Sequence, residues 1–262
     1  MFLLNEKATV WKHWAVSNDV LILKVIAPQI ATSAKPGQFV QVKVTTNLDP
    51  LLRRSLSIHN VDTETGHVWL LYQIRGQGTR SLSLFREGDV LELTGPLGKG
   101  FDLEEKNAPF LILGGGIGIA PFAFVAKHLH QRSIPYKVII GAHTAKAIFE
   151  KHFFEALGVQ PIQATDDGSI GFHGNAVQAA EQLLSRETFK TMLACGPHPM
   201  LKAAKRLAEQ NSIDLQVSLE AKMACGVGAC LGCTVKKAVG QGYYKVCKDG
   251  PVFASEEVDL DA

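Results

Sequence analysis

Four cysteines near the C-terminus constrain this sequence more than any other feature. They follow the spacing C-x4-C-x2-C-x13-C, and they are Cys225, Cys230, Cys233 and Cys247. This is the plant-type [2Fe–2S] arrangement, in which one loop wraps around a cluster and presents thiolates to it. Three glycines within the loop allow the unusual dihedral angles and the close backbone approach that such a wrap requires. The spacing therefore predicts a [2Fe–2S] cluster.

A structural zinc site is the alternative interpretation of these cysteines. Zinc sites pair one C-x2-C with a second C-x2-C or with a histidine pair. Here only one C-x2-C exists, and no histidine follows His198. The segment after Glu220 has too few large apolar residues to build a core alone, so a bound metal centre would hold it together. The pattern favours [2Fe–2S] over zinc and over unliganded cysteines.

The first hundred residues show the sequence pattern of an antiparallel β domain. Turn signals such as Pro36-Gly37 and Glu87-Gly88-Asp89 separate short runs of apolar and β-branched residues. The six runs are ATVWKHWAV, DVLILKVIA, QFVQVKV, RSLSIHNV, HVWLLYQIR and DVLELTG. They predict a six-stranded antiparallel barrel, interrupted by one helix near 79–85.

From about residue 108 the pattern changes to alternating strands and helices. The apolar strands include APFLILGGG, YKVIIGAH, VQPIQAT, KTMLAC and DLQVSLE, and helical patterns cover 119–132, 145–157, 173–185 and 197–211. This alternation predicts a doubly wound parallel sheet. We expect a multi-domain β and α/β protein with a flavin-binding barrel at 1–100, a nucleotide-binding domain at 101–220 and a small C-terminal [2Fe–2S] module at 221–262. The glycine-rich stretch 95–100 would link the first two.

Charge and hydropathy give no support for nucleic-acid binding, membrane association or secretion. The formal net charge is only +2, so charge gives no argument for binding nucleic acid or a membrane surface. No apolar run approaches the roughly 20 residues that span a bilayer. The N-terminal residues include Glu6 and Lys7 and lack the apolar stretch of a signal peptide. We expect a cytoplasmic protein.

Two separate segments could bind a flavin. Arg53 and Arg54 open a strand that continues through Ser55, Leu56 and Ser57, and a guanidinium there suits a pyrophosphate while a serine hydroxyl could meet a ring nitrogen. About 20 residues later, Leu71, Tyr72 and Gln73 end a strand, and a glycine turn with Gly78 and Thr79 precedes a short helix. Such a turn can cradle phosphates. Taken alone, each segment could equally be a solvated surface or an ordinary turn.

A third segment could bind a nucleotide. Leu111-Ile112-Leu113 runs into a glycine turn that contains Gly114, Gly115, Gly116 and Gly118, and a helix follows. This order places a pyrophosphate at a helix N-terminus, although the turn is not a G-x-G-x-x-G and could be a tight βα turn without a ligand. Cys195, Gly196 and Pro197 close a later parallel strand, where ligands bind in such sheets. Cys195 either borders a nicotinamide or is a small buried residue.

In this order along the chain, the motifs resemble those of a known group of proteins. The motifs are LLRRSLSI, GQGTRSL, GPLGKGF, LGGGIGIAP, TDDGSIG, ACGPHPML and SLEAKMACGVGACLGC. Residues 1 to about 220 resemble the ferredoxin-NADP reductase superfamily. With the cysteine loop, the whole chain is similar to the electron-transfer subunits of class 1B dihydroorotate dehydrogenases.

The resemblance implies a role for each motif. Arg54 would contact the FAD pyrophosphate, and Ser57 would lie beside the isoalloxazine, with Ser55 and Leu56 on the same strand. The other flavin contacts would be Leu71, Tyr72, Gln73, Gly78 and Thr79. NAD would be received by Gly114, Gly115, Gly116, Gly118, Cys195, Gly196 and Pro197, and the cluster would be ligated by Cys225, Cys230, Cys233 and Cys247. The superfamily often has an aromatic residue at the position of Leu56, so the stacking partner of the flavin stays open.

By the same resemblance, this chain is one subunit of an NAD-linked oxidoreductase in pyrimidine biosynthesis. A partner subunit would oxidise dihydroorotate at its own FMN, and electrons would pass through the [2Fe–2S] cluster and FAD to NAD. The two subunits would form a heterotetramer with two copies of each. No general base, nucleophile or pyrimidine pocket stands out in this chain, which suits a protein whose cofactors carry the chemistry.

Other functions fit parts of the sequence. Related flavin and iron–sulfur subunits serve sulfide dehydrogenases, hydrogenases and bifurcating ferredoxin–NADP oxidoreductases, where a different partner gives a different substrate. A zinc-stabilised nucleotide-binding module that regulates a partner is a non-enzymatic alternative. The choice of NAD over NADP also stays open, because no clear ribose-reading acid follows the strand near 141–144.

Overall fold

The computed structural model describes residues 4–45 and 49–261. Within that part of the chain, the N-terminal region forms one antiparallel sheet. Its seven strands are β1 (Asn5–Ala15), β2 (Val20–Ile26), β3 (Phe39–Lys43), β4 (Arg54–Ser57), β5 (Asn60–Asp62), β6 (His67–Gln73) and β7 (Val90–Leu97).

The first sheet closes on itself through one short crossing. Its strand order is β4-β3-β7-β1-β2-β6-β5, so β4 and β5 lie at opposite edges although they adjoin in sequence. Between them, the Ile58 N–H donates to the Gln38 carbonyl at one edge and the His59 N–H donates to the Trp69 carbonyl at the other. Because Ile58 and His59 are consecutive residues, the two edges of the sheet lie side by side, and the sheet curves into a barrel.

The predicted barrel is confirmed, with one difference in strand count. The run RSLSIHNV was predicted as a single strand, but it forms β4 and β5, because its two ends pair with different neighbours. Its apolar alternation is continuous, so the sequence pattern carries no sign of the crossing. The proposed linker also begins within a strand, since β7 continues to Leu97, which is buried and pairs with Phe39.

The central region alternates strands and helices. Its strands are β8 (Phe110–Gly115), β9 (Tyr136–Ala142), β10 (Ile162–Thr165), β11 (Phe172–His173), β12 (Thr191–Cys195) and β13 (Asp214–Ser218). The helices of the described residues are α1 (Pro28–Ser33), α2 (Gln77–Leu82), α3 (Phe122–Gln131), α4 (Lys151–Ala156), α5 (Ala176–Leu184) and α6 (His198–Asn211). The C-terminal segment adds β14 (Thr234–Lys236), β15 (Tyr243–Lys245) and β16 (Val252–Ala254).

The second large sheet has the order β11-β10-β9-β8-β12-β13-β16. All its pairs are parallel except β13 with β16, which is the edge strand supplied by the C-terminal segment. Residues of α3 and α4 belong to one apolar core and residues of α5 and α6 to another. The doubly wound sheet that the sequence predicted is therefore confirmed, and the carboxyl ends of β8, β9 and β12 meet at one edge, where such sheets bind ligands.

The C-terminal segment shares a core with the rest of the protein. The two strands β14 and β15 form a hairpin, and Cys233, Val246 and Cys247 pack in the same apolar cluster as Phe39 and Leu97 of the barrel. The Lys99 N–H also donates to the Gly250 carbonyl at 2.6 Å. The cysteine loop is thus held against the flavin barrel.

One predicted helix is shorter than the pattern indicated. The pattern over 145–157 predicts one helix, but residues Ala145–Ala147 form a single 3-10 turn and α4 begins only at Lys151. Glu150 interrupts the run because it adopts a left-handed conformation with φ of 63°. In the part of the chain that the structure describes, no helix is long and apolar enough to cross a membrane.

Candidate functional site

A cavity of about 220 Å³ opens between the barrel and the parallel sheet. The predicted flavin residues of two barrel strands line it, on β4 and at the end of β6, and the nucleotide turn and Cys195 close its far side. The predicted residues in its wall are Ser55, Leu56, Ser57, Leu71, Tyr72, Gln73, Gly118 and Cys195. Two barrel strands therefore share one concave wall with segments of the parallel sheet that are distant in sequence.

Tyr72 is held in this wall by a partly buried histidine. Nδ1 of His13 lies 3.0 Å from the Phe85 carbonyl oxygen, and a carbonyl only accepts, so Nδ1 carries a proton. Burial lowers the pKa of His13, so its Nε2 accepts a hydrogen bond from the Tyr72 hydroxyl at 2.9 Å. Burial also raises the pKa of Tyr72, which remains a neutral donor. The ring orientation of Tyr72 is thereby fixed.

The two adjacent arginines have different partners. Arg53 forms an ion pair with Glu92, in which Nη2 lies 2.9 Å from Oε2. Among residues 4–45 and 49–261, Arg54 makes no ion pair with a carboxylate, and its Nη1 donates only to the backbone carbonyls of Leu52 and Arg53. A guanidinium with free donors is suited to bind a phosphate in a bidentate manner.

The Arg54 guanidinium lies over the glycine turn that begins α2. A Cβ atom added to Gly78 would overlap it, coming within 2.5 Å of Nη2. In the same turn, Thr79 Oγ1 accepts from the N–H groups of Arg75 and Gly76. The structure therefore brings Arg54, Gly78 and Thr79 together, although the wall of the smaller cavity does not include them. A guanidinium beside the first turn of α2 fits a pyrophosphate, because N–H groups at the start of a helix favour anions.

A larger cavity of about 850 Å³ lies at the carboxyl ends of β8, β9, β10 and β12. The predicted nucleotide residues in its wall are Gly115, Gly116, Gly118, Gly196 and Pro197. Gly114 instead lies against Ile119, where an added Cβ would come within 2.5 Å of that side chain. Gly118 packs on the end of β12, so that an added Cβ would lie 2.7 Å from Gly196 Cα. Glycine is thus required at Gly114 and Gly118 for the turn to close on the strands.

The two cavities share part of their walls. The shared residues are Gln73, Arg75, Ile117, Gly118 and Glu220. Cys195 lies at this junction on the side of the smaller cavity, and burial together with the negative charge of Glu220 raises the pKa of its thiol to about 12. Cys195 is therefore a small neutral wall residue, separate from the cysteine loop.

The cysteine loop directs backbone N–H groups at its own sulfurs. The N–H groups of Val227 and Cys230 lie 3.5 and 3.4 Å from Cys225 Sγ. Gly228 N–H lies 3.1 Å from Cys247 Sγ, which links the loop to the later cysteine. Although burial opposes it, these N–H bonds lower the pKa of Cys225 to about 6. Such donors stabilise negative sulfur, as a metal-bound thiolate requires.

The four thiols fall into two pairs. The Cys230 N–H points to Cys225, and the Cys247 N–H lies 3.4 Å from Cys233 Sγ. Two thiolates at each of two irons is the ligand set of a [2Fe–2S] cluster. Burial and the adjacent Cys233 raise the pKa of Cys247 to about 12, so the charge of the metal centre would be needed to ionise it.

One buried glutamine connects the cysteine loop to the flavin wall. Gly226, next to Cys225, lies against the Gln41 amide, where an added Cβ would come within 2.5 Å of Cδ. Gln41 is buried, and its Nε2 donates to Ser55 Oγ at 3.4 Å. Ser55 lines the smaller cavity. The loop that would hold the cluster is therefore separated from the flavin cavity by two side chains.

The larger cavity also contains residues that the sequence analysis missed. Asp166 follows β10, and its Oδ2 lies 2.5 Å from Nδ1 of His143, which follows β9. Glu220 precedes the cysteine loop and faces both cavities. Asp166 lies within the motif TDDGSIG, which carried the resemblance but had no assigned role. Its position after a parallel strand was the available signal.

Two family models match the ends of the chain. Residues 7–101 match an oxidoreductase FAD-binding domain. Residues 220–259 match the iron–sulfur cluster binding domain of dihydroorotate dehydrogenase B. The second match rejects the zinc interpretation of the four cysteines.

Relatives and a solved structure match almost the full length. A Geobacillus kaustophilus protein is 38% identical over 261 residues, covering 98% of this chain and 99% of the relative. A Caldanaerobacter subterraneus protein is 40% identical over 256 residues, covering 94% and 99%. Both are named dihydroorotate dehydrogenase B (NAD(+)), electron transfer subunit. An NADH-dependent reduced ferredoxin-NADP oxidoreductase structure superposes with a TM-score of 0.84, at 30% identity, over 97% of this chain and 90% of the other.

These matches agree with the arrangement found in the structure. The barrel coincides with the FAD-binding model, and the loop of paired thiols coincides with the cluster-binding model. At 38–40% identity over nearly the whole length of both chains, this chain belongs to the family of dihydroorotate dehydrogenase B electron transfer subunits.

Proposed function

We propose that this chain delivers electrons from the FMN of a dihydroorotate-oxidising catalytic subunit to NAD⁺, in pyrimidine biosynthesis. When bound, FAD exchanges two electrons as a hydride with NAD and single electrons with a [2Fe–2S] cluster. The names of the relatives describe one subunit of a larger enzyme, which supports a catalytic partner. The resemblance further supports a heterotetramer with two copies of each subunit in the cytoplasm.

One observation carries this proposal: a continuous wall joins the three candidate sites. Gln41 connects the cysteine loop to the smaller cavity, and Gly118 and Glu220 belong to both cavities. Electron carriers must lie close to one another; here the two cavities share wall residues, and Gln41 and Ser55 separate the cysteine loop from the smaller cavity. The three-part division at about residues 100 and 220 remains part of this proposal.

The residues bind and orient the cofactors. Arg54 and the Gly78 turn would hold the FAD pyrophosphate, while Ser57 and Tyr72 would contact the ring. The glycine turn would receive the NAD pyrophosphate. Cys225, Cys230, Cys233 and Cys247 would ligate the cluster, with the loop N–H groups stabilising its sulfurs.

A comparison of electron donors tests the proposed function. The chain is purified with its native partner, and NAD⁺ reduction is measured with dihydroorotate, sulfide or reduced ferredoxin as donor. We expect only dihydroorotate to support NAD⁺ reduction, and native mass spectrometry to give two copies of each subunit. The chain without its partner serves as the control and should not oxidise dihydroorotate. NAD⁺ reduction driven by sulfide or ferredoxin instead would reject the proposal in favour of a related complex.

Asp166 would make the enzyme selective for NAD over NADP. Its carboxylate lies in the wall of the larger cavity after β10, where it could accept bonds from the ribose hydroxyls and repel a 2′-phosphate. We expect Asp166→Ser to raise the ratio of kcat/KM for NADPH to that for NADH by about tenfold, equivalent to about 1.4 kcal/mol. Asp167→Asn is the matched control, because Asp167 is adjacent but outside that wall. An unchanged ratio in Asp166→Ser would contradict this assignment.

A further inference from the structure

A buried histidine joins the flavin barrel to the nucleotide turn. His59 lies two residues after Ser57, where the chain crosses from β4 to β5, and is 2% exposed. Its Nδ1 lies 2.6 Å from the carbonyl oxygen of Ala120. Because a carbonyl oxygen only accepts, Nδ1 carries a proton and donates it to this bond.

The other nitrogen of this ring is held by Glu150. His59 Nε2 lies 3.0 Å from Glu150 Oε2, and the two side chains are only 3% and 9% exposed. Since Nδ1 already carries its proton, a second proton lies between Nε2 and the carboxylate, and the pair is satisfied without water. Glu150 pairs with His59 from a left-handed backbone conformation, which persists only where the surrounding structure enforces it.

Ala120 lies within the turn that would receive the nicotinamide nucleotide. Gly118, two residues earlier, lines both cavities, and Ala120 itself lines the smaller one. One residue separates His59 from Ser57, and one residue separates Ala120 from Gly118. The His59–Ala120 hydrogen bond is therefore a short mechanical link between the flavin strand and the nucleotide turn. A second bond, from Lys127 Nζ to the Val61 carbonyl at 2.7 Å, reinforces the same interface.

We infer that His59, held by Glu150, is a positioning residue for hydride transfer between the nicotinamide and the flavin. It sets the separation between the strand of Ser57 and the turn of Gly118, and so the distance between the two rings. This inference rests on the proposed function, because it takes hydride exchange with NAD as the reaction. Transfer rates are sensitive to such distances, and a displacement of about 1 Å can cost about 100-fold.

Rapid-reaction kinetics of the intact complex test this role. NADH is mixed with the FAD-loaded complex, and flavin bleaching is followed over a range of NADH concentrations. For His59→Leu we expect the limiting reduction rate to fall at least about tenfold, while the apparent Kd for NADH changes less than about threefold. The long-wavelength charge-transfer absorbance of reduced flavin with NAD⁺ should weaken as well. FAD content and thermal melting are measured alongside.

His59→Asn is the conservative variant. Its amide nitrogen can take the place of Nδ1 and donate to Ala120, so we expect it to retain the limiting rate within about threefold. Glu150→Gln, whose side-chain amide N–H can donate to Nε2 of a neutral His59, should behave similarly, whereas Glu150→Met should be slow. If His59→Leu fails to retain FAD, the contrast between Glu150→Gln and Glu150→Met decides the question.

The outcomes separate the two hypotheses. If NADH does not reduce the wild-type complex, the proposed function fails, and the positioning role fails with it. If NADH reduces wild type and His59→Leu at the same limiting rate, with equal charge-transfer absorbance, only the positioning role is overturned. Equal slowing of His59→Leu and His59→Asn would also overturn it, because the bond to Ala120 would then be irrelevant.

Discussion

Cys230→Ser is expected to abolish electron transfer from dihydroorotate to NAD⁺ while sparing the reaction of NADH with an artificial acceptor. Changes to groups that merely surround a metal ligand cost 10- to 100-fold in affinity or activity, so we expect a loss of more than about 100-fold from removing the ligand itself. The dihydroorotate activity of the complex measures delivery through the whole subunit. NADH oxidation by ferricyanide measures the flavin site alone, and should stay within about twofold.

Cys230 is the most informative of the four cysteines to replace. It is exposed, and it lines neither cavity. Cys233 and Cys247 pack in the core that contains Phe39, so their loss would also disturb the flavin wall. Cys225 adjoins Gly226, which contacts Gln41 beside that wall. Replacing Cys230 therefore separates the cluster from the flavin better than the other three replacements would.

The control for this experiment is Val239→Ser. Val239 belongs to the same C-terminal segment, is 82% exposed, and receives the same new side chain. It should keep the iron content and both activities of the wild type. The scheme would be contradicted by a Cys230→Ser protein that has lost its iron yet keeps full dihydroorotate-to-NAD⁺ activity.

Features contained in one short segment were predictable from the sequence. The four cysteines lie in one loop and its hairpin, so their spacing alone indicated the cluster. The strand, glycine turn and helix around Gly114–Gly118 were equally visible, because the elements are consecutive. The crossing at Ile58 was not visible in the sequence, since it arises because β4 and β5 pair with different strands of the barrel.

Contacts between distant segments were not predictable from a single sequence. His59 meets Ala120 and Glu150 across 61 and 91 residues, and a lone histidine in an apolar run is usually a core residue. Gln41 likewise reaches Gly226 only after the C-terminal segment folds back on the barrel. Local spacing thus indicated the [2Fe–2S] cluster, FAD and NAD were inferred from the order of several motifs and the family they resemble, and tertiary packing determined which side chains connect the sites.

A single methyl group added at Gly78 is expected to weaken FAD binding strongly. An added Cβ at Gly78 would occupy the space of the Arg54 guanidinium, which is the flexible end of its side chain and would move rather than the backbone. Hydrogen bonds to charged groups contribute about 1.5–3 kcal/mol. We therefore expect Gly78→Ala to raise the Kd for FAD about 10- to 100-fold, measured by titrating the FAD-free protein and following flavin fluorescence.

Gly76→Ala is the matched control for this substitution. Gly76 lies in the same turn, a Cβ there would meet no atom within 4 Å, and its backbone conformation is open to any residue. It should bind FAD with the affinity of the wild type. If Gly78→Ala bound FAD as tightly as Gly76→Ala, the guanidinium would not be the group that holds the pyrophosphate.

A double-mutant cycle then assigns the effect to Arg54 itself. Arg54→Met should weaken FAD binding by a similar factor, because it removes the charge while keeping a side chain of comparable length. If Gly78→Ala acts only by displacing the guanidinium, adding it to Arg54→Met should change the Kd less than about threefold. Fully additive losses would instead mean that Gly78 contacts the cofactor through its own backbone. The size of the coupling thus distinguishes a phosphate held by one side chain from a phosphate held by the turn.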